Sequence, residues 1–454
     1  MLETALGATA IGTQLARQSE RRAHGVVQAA EGAFDWTVST SAGQRLLPQN
    51  RTLNGFLLDQ SDYRWSSVGT LAGDRLLNNG VRIKTGITMV ANSGEDARRQ
   101  LSPMANRPQF LVDVPLNASL GEPAELLRLE AARKDLAGSE RDTRLSQSAY
   151  LHQVAGAFWK SLAQQRRRDA ARSNREVMDE VALRVTRLAE RGEIAQSDAE
   201  QWRLRAGLRG VAFDRAAREF AAARLELAVL LKTEGERGWN GAELAARFPD
   251  ESAPMQGAAP DLEKLVRLAL DRRPEVQRQI DRVRASQLRS RAAMRETEGR
   301  LAFVAGLDRV MVEYSTSLGD NRASGVRRQS DADAKSAELL LQDLERTVRA
   351  DLRQGLARLA ASRDAVRLLR PVADQLAASL EGARRQVTAG LAPASSLAQA
   401  ADSLLEARRE LIDSQAQHAL AIADLRLHTA TLAQPGQSAQ ALAGLLRRAP
   451  DEAN

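Results

Sequence analysis

The residues able to do chemistry are scattered in this chain. The histidines stand at His24, His152, His418 and His428, in no His-x-x-x-His or Glu-x-x-His spacing. That spacing is what sets two ligands on one helical face for a metal. No Gly-x-Ser-x-Gly elbow presents a serine, and the glycines at 69, 73 and 80 fall in strand and turn contexts, not in a phosphate-binding loop. The chain has no cysteine, which excludes disulfides, thiol chemistry and cysteine-bound metal. Carboxylates on the helical stretches have arginines nearby, as Asp351 has Arg353 and Glu406 has Arg409. Solvated ion pairs account for them, and Arg166, Arg167 and Arg168 read as a solvated helix face. No constellation supports an enzyme, a cofactor or a metal site. Net charge is +7, from 65 basic and 58 acidic residues with interspersed signs. No concentrated basic stripe marks a nucleic-acid partner.

Two glycines carry positional meaning instead. Gly390, in Thr388-Ala389-Gly390-Leu391, interrupts a long helical pattern, and Gly192, in Glu190-Arg191-Gly192-Glu193, interrupts another 198 residues earlier. Before Gly390 the apolar residues step by three or four through Leu341, Leu344, Val348, Leu352, Leu356, Leu359, Val366, Leu369, Val372, Leu376, Leu380, Ala383 and Val387. This is a coiled-coil seam. After it, Leu397, Leu404, Leu411 and Leu425 recur at multiples of seven, with His418 in the skipped place. The helix before the turn is expected from about Ala332 to Thr388, kinked at Pro371. Arg187 aligns with Arg385, Ser197 with Ser395, Phe213 with Leu411 and Leu227 with Leu425.

The elements that position these hairpins follow one plan twice. Residues 1–232 form a first repeat: a helix to Glu31, a strand region at about 34–119, and a helical hairpin with its tip at Gly192. Its second arm runs from about Ser197 to Lys232, capped by Ser197-Asp198. Alternation predicts strands at Phe34–Ala42, Trp65–Leu71, Val81–Met89 and Phe110–Leu116, with a polar loop over Pro48–Asp62. At about nine to eleven residues such strands match the span of a tilted strand across a hydrocarbon layer. Residues 233–261 are rich in glycine and proline and read as an irregular linker. Residues 262–432 form the second repeat: one helix over Leu262–Glu298, strands at 300–306 and 310–318, a polar loop over Gly319–Ser330, and the hairpin at Gly390. Residues 433–454 read as a loose tail. No run of about 18 apolar residues predicts a spanning helix. The first 17 residues lack a basic n-region, so a presequence is not evident. A fold mainly α with β, duplicated internally, is expected.

Two halves of this plan resemble the TolC family of outer-membrane efflux proteins, over nearly the whole chain. The most specific segments are Arg385-Gln386-Val387-Thr388-Ala389-Gly390-Leu391 followed by Leu404-Leu405-Glu406-Ala407-Arg408, and Arg187-Leu188-Ala189-Glu190-Arg191-Gly192-Glu193-Ile194. A third is Leu268-Ala269-Leu270-Asp271-Arg272-Arg273-Pro274-Glu275-Val276. Gly32-Ala33-Phe34-Asp35 and Leu77-Asn78-Asn79-Gly80-Val81 resemble a branch with a longer first-half strand region.

The resemblance implies a homotrimer in the outer membrane of a Gram-negative bacterium. Strands of three chains would close a β-barrel in lipid, and the helices an α-barrel in the periplasm. The implied function is a channel of a tripartite efflux or secretion system. A periplasmic adaptor would dock at the tips, on Arg187, Arg191, Gly192, Glu193, Ile194, Arg385, Ala389, Gly390 and Leu391, and an inner-membrane transporter would drive substrate. A pore constriction is implied near the tips, at Asp198, Ser396 and Gln399. The alternative from residue patterns is a soluble coiled-coil scaffold or periplasmic adaptor without a barrel.

Overall fold

The computed structural model describes residues 11–53, 56–92, 108–117, 120–231, 244, 246–249, 261–307, 309–316, 321–432 and 444–447. Helix α1 (Ile11–Glu31) leads into strands β1 (Thr37–Leu53), β2 (Phe56–Leu76), β3 (Arg82–Asn92) and β4 (Pro108–Pro115). Helices α2 (Ala124–Glu190) and α3 (Gln196–Leu231) make the first hairpin. Then come α4 (Leu262–Arg272), α5 (Pro274–Thr297), β5 (Arg300–Gly306), β6 (Val310–Ser315) and the second hairpin, α6 (Asn321–Thr388) and α7 (Ala394–His428). The fold is mainly α with one six-stranded sheet in the order β1-β2-β3-β4-β5-β6, antiparallel throughout. Residues 1–10 and 433–443 lie outside the described residues, as does most of the stretch 233–261. Among the described residues no helix is long and apolar enough to cross a membrane.

The chain divides into two compact units. One holds the sheet, with residues 19–139 and 278–341. Its helical core is small-residue packing: Ala124, Leu127 and Ala131 lie against Ala285, Leu288 and Ala292, and Val27 against Leu129 and Ala132. Ion pairs flank this core, Arg133 to Glu31 at 2.9 Å, Arg291 to Glu122 at 3.2 Å, and Arg289 to Asp135.

The other unit holds most of both hairpins, with residues 11–18, 140–277 and 342–447 among those described. Its helices follow the order α3-α2-α7-α6. Between α2 and α3, Tyr150 Oη donates to Leu230 O at 2.8 Å and Lys160 pairs with Glu226 at 2.6 Å. Between α2 and α7, His152 Nε2 meets Asp424 at 2.6 Å and Arg167 Nε meets Asp413 at 2.9 Å. Between α7 and α6, Ser362 Oγ lies 3.3 Å from His418 Nδ1, and a Cβ on Gly355 would come within 2.8 Å of Leu425 Cδ2. That approach is close enough to favour glycine at this contact.

Several expectations are corrected. The polar stretch Pro48–Asp62 is no loop: its described residues lie in β1 and β2, with Pro48 opposite Tyr63 and a register shift between Asn50 and Thr52. β1 is the edge of the sheet, where proline's missing N–H need not enter a ladder. β1 and β2 reach 17 and 21 residues and β4 has 8, against the expected nine to eleven, while β5 keeps its expected bounds and β6 ends at Ser315. Arg327-Arg328-Gln329-Ser330 is helical, because α6 starts at Asn321 and not near Ala332. Leu262–Glu298 is broken at Arg273, whose backbone is extended before Pro274 opens α5. Proline disfavours helical geometry in the residue before it. α3 begins at Gln196, so Ser197 and Asp198 sit inside its first turn and do not cap it.

In the seam, Val348, Leu352, Leu359, Val366, Leu380 and Val387 are buried, but Val372 is 45% exposed and Ala373 takes the inner place. His418 is buried in the seam. Asp351 pairs with Arg273, between α4 and α5, at 3.8 Å, and not with its neighbour Arg353. Nor are Arg166, Arg167 and Arg168 simply solvated. Arg166 donates to Ala246 O, Arg167 pairs with Asp413, and Arg168 lies 4.8 Å from the Phe220 ring while pairing with Asp169.

Candidate functional site

The site residues named from sequence fall at the two helical tips, which lie together at one end of the hairpin unit. Val177, Val181 and Val185 of α2, Ala199 of α3, Val387 of α6 and Leu397 of α7 share one apolar cluster, with Ile194 and Ala392 packed on it. Each tip is the same hydrogen-bonded motif. Gly192 N donates to Ala189 O and Glu193 N to Leu188 O; Gly390 N donates to Val387 O and Leu391 N to Gln386 O. Every equivalent pair is 198 residues apart. The paired bonds are those of a Schellman end, which requires a left-handed residue. Gly192 has φ +72° and Gly390 +74°. The next turn begins alike: Asp198 N donates to Ala195 O and Ser396 N to Pro393 O.

Arg187, Arg191, Glu193, Arg385 and Ala389 are exposed, Ile194 is half-buried, and Leu391 is 81% exposed. Arg191 lies 4.0 Å from Glu193. Asp198 and Gln399 are exposed, while Ser396 is half-buried with its Oγ donating to Pro393 O at 2.7 Å. Behind the tips, polar contacts bind one hairpin to the other: Arg384 to Glu180 at 2.9 Å, and Arg209 and Asn174 to the two oxygens of Asp402 at 2.8 and 3.2 Å. None of these five residues was singled out from sequence, because their partners are remote in the chain.

A second site was visible in sequence only strand by strand. Directly opposed residues of an antiparallel pair project to the same face, so the register sorts the sheet. Pairs Val38–Gly73, Thr40–Leu71, Leu71–Ile87, Gly69–Met89 and Ile83–Val112 lie on one face. Pairs Val114–Phe303, Ala305–Val310, Phe303–Val312 and Leu301–Tyr314 continue it. Val38, Leu71, Ile87, Met89, Phe303, Val310, Val312 and Tyr314 are all exposed there. The opposite face carries Thr37–Asp74, Ser41–Thr70, Asp74–Lys84, Arg82–Asp113 and Arg300–Ser315. It is held by polar contacts: Ser41 to Thr70 at 2.5 Å, Arg82 to Asp74 at 3.6 Å, and Arg300 to the buried Asp113. At the helix-side rim Arg75 donates to Phe34 O at 3.1 Å and stands 5.9 Å from the Trp36 ring. Alternating strands thus build one apolar and one polar wall, the arrangement of a sheet with lipid on one side and water on the other.

A buried polar cluster ends α7. Arg273, 5% exposed, donates through Nε to His428 O at 2.6 Å. A cation there satisfies a terminal carbonyl and opposes the helix dipole. Burial pulls the Arg273 guanidinium below its ordinary value, against Glu275 and Asp351. Burial, with Arg273 beside it, also lowers His428. The His152 hydrogen bond holds the Asp424 carboxyl below its usual range. Among the described residues no group of three His, Asp or Glu side chains could hold a metal ion.

No family model and no curated protein matches the chain. Solved structures do. It is similar to the outer membrane protein VceC from Vibrio cholerae, with TM-score 0.66 and 14% identity over 99% of this chain and 95% of that one. It is similar to the CmeC outer membrane channel of Campylobacter jejuni, with TM-score 0.67 and 11% identity over 98% and 88%. The MtrE outer membrane channel of Neisseria gonorrhoeae, in its open state, gives TM-score 0.65 and 14% identity over 94% and 87%. With its paired glycine-tipped hairpins and single antiparallel sheet, the chain has the TolC fold of these outer-membrane channels.

Proposed function

We propose that the chain is one subunit of a homotrimeric outer-membrane channel in a tripartite efflux or secretion system. The observation that carries this is the two-faced sheet. A soluble scaffold has no use for an exposed face of valine, isoleucine, phenylalanine and tyrosine, whereas a wall in lipid requires one. Both sheet edges are open, and an open edge does not persist in a hydrocarbon layer, so several copies must close it. The helices support the same association. α3 and α6 are the outer helices of their unit, and both expose apolar residues: Leu204, Leu208 and Val211 on α3, Leu368 and Val372 on α6. At the positions 198 residues on from the first three, α7 carries Asp402, Glu406 and Arg409. The apolar stripe belongs to the outer helix, where a neighbouring copy would cover it.

In this reading the tips receive a periplasmic adaptor on Arg187, Arg191, Gly192, Glu193, Ile194, Arg385, Ala389, Gly390 and Leu391. Asp198, Ser396 and Gln399 line the constriction behind them, and an inner-membrane transporter supplies substrate. The test is purification in detergent from outer-membrane fractions, with mass by light scattering and ion conductance in planar bilayers. A conducting trimer is expected. A monomer that conducts nothing would overturn the proposal.

A further inference from the structure

The buried polar cluster at the end of α7 is built as a joint, and it stands apart from the channel reading. Arg273 occupies the break between α4 and α5, ahead of Pro274. Its backbone still bonds to both helices, its N–H donating to Ala269 O at 2.8 Å and its carbonyl accepting from Gln277 N at 3.1 Å. Its buried side chain reaches two further helices, His428 O of α7 at 2.6 Å and Asp351 of α6 at 3.8 Å. One guanidinium thus ties the α4–α5 break to α6 and α7. Arginine stays protonated throughout the physiological range, so a buried one depends on keeping such partners.

The end of α7 leans on that tie. Thr429 N donates to Leu425 O, Ala430 N to Leu427 O and Thr431 N to Arg426 O. The turn closes as the two tips do, but Ala430 and not a glycine stands at φ +54°. A side chain strains this geometry, which persists only where its surroundings hold it.

Residue 428 supplies both parts of a switch. Its carbonyl holds Arg273, and its half-buried imidazole has an Nδ1 with no hydrogen-bond partner among the described residues. The charged and titratable groups acting on that ring are Arg273 from the break, Asp351 from α6, Asp424 from α7 itself and His152 from α2. Both carboxylates are already engaged, Asp351 with Arg273 and Asp424 with His152 at 2.6 Å. Glu275 acts in turn on Arg273, and Arg358 on Asp424. Burial, Arg273 and His152 oppose a proton on His428, while Asp351 and Asp424 favour it. The opposition prevails, so the proton enters only below the ordinary imidazole value of 6.5. Once there, it sets a second cation beside the guanidinium and repels it.

We propose that this joint is a proton-operated latch: neutral His428 leaves Arg273 seated on the end of α7, and a proton on the imidazole unseats it. In acid the α4–α5 break then becomes a hinge, and the strained turn at Ala430 loosens with it.

Hydrogen exchange read by mass spectrometry on the full-length protein in detergent, between pH 7.5 and 5.0, tests this. Rates are corrected for the intrinsic effect of pH. Peptides covering 269–277 and 425–431 should exchange at least several-fold faster in acid, with a midpoint below pH 6.5. The tips at Gly192 and Gly390 should not change. His428→Gln, which cannot take the proton, should lose the response. Asp351→Asn, which removes an anion favouring that proton, should move the midpoint to lower pH. No acceleration in the unmodified protein, equal acceleration at the tips, or the full response in His428→Gln overturns the latch. Should His428→Gln fail to fold, an unmoved midpoint in Asp351→Asn overturns it equally. None of these results bears on whether the chain forms a channel.

Discussion

At the residue scale, the tips depend on two glycines in left-handed geometry, at φ +72° and +74°. A side chain there costs on the order of 1–2 kcal/mol, small against the apolar cluster beneath the tips. Gly390→Val should therefore leave trimers intact on native gels while cutting export at least several-fold. Unchanged export would remove this tip from the docking surface. Acidity is sensed elsewhere. His428 has a folded pKa below its unfolded value near 6.5, so its neutral form is favoured in the fold. Below that pH the unfolded chain takes up a proton that the folded chain refuses, and stability falls by at most about 1.4 kcal/mol per pH unit. Asp424 works at lower pH: its contribution is complete above its ordinary value of 3.8 and is lost as pH drops through its depressed folded value. Between pH 7.5 and 5.5 His428 acts and Asp424 does not. The melting temperature should fall across that interval, and less so in His428→Gln, which keeps the backbone carbonyl that Arg273 binds.

At the element scale, the exposed face of α3 separates the two repeats. Leu204 is 71% exposed where its counterpart is Asp402. Covering an aliphatic side chain of this size contributes about 1.5–3 kcal/mol. Leu208→Glu should thus shift trimers towards monomers in light scattering while circular dichroism keeps its helical signal. The sheet predicts a contrast between faces. Val312→Asp on the apolar face should lower outer-membrane assembly, a charge at mid-bilayer costing on the order of 2–4 kcal/mol. Thr70→Asp on the polar face should assemble normally and raise cation selectivity in bilayers. Equal loss in both would refute the sorting of the faces. Helices and glycine turns were legible because seam spacing and breakers are local signals, although the single helix expected over Leu262–Glu298 overlooked what Pro274 does to Arg273. β1 and β2 were read too short. Pro48 and the polar run after it look like a loop when the strand's edge position is unknown.

At the scale of the whole molecule, association and passage follow from surfaces that one chain leaves open. The sequence by itself determined the duplicated plan, the 198-residue spacing of the tips, the seams of α6 and α7, and the alternation in most strands. These follow from periods of 3.6 and 2 and from glycine's conformational range, which act between near neighbours. It did not determine which strand faces coincide, where Asp351 finds its partner, or that Arg209 and Asn174 meet at Asp402. Nor did it say that α3 and α6 are the outer helices. Those were decided by the tertiary structure, because register and helix order bring together residues hundreds of positions apart, and packing free energy selects among partners that local patterns leave equivalent.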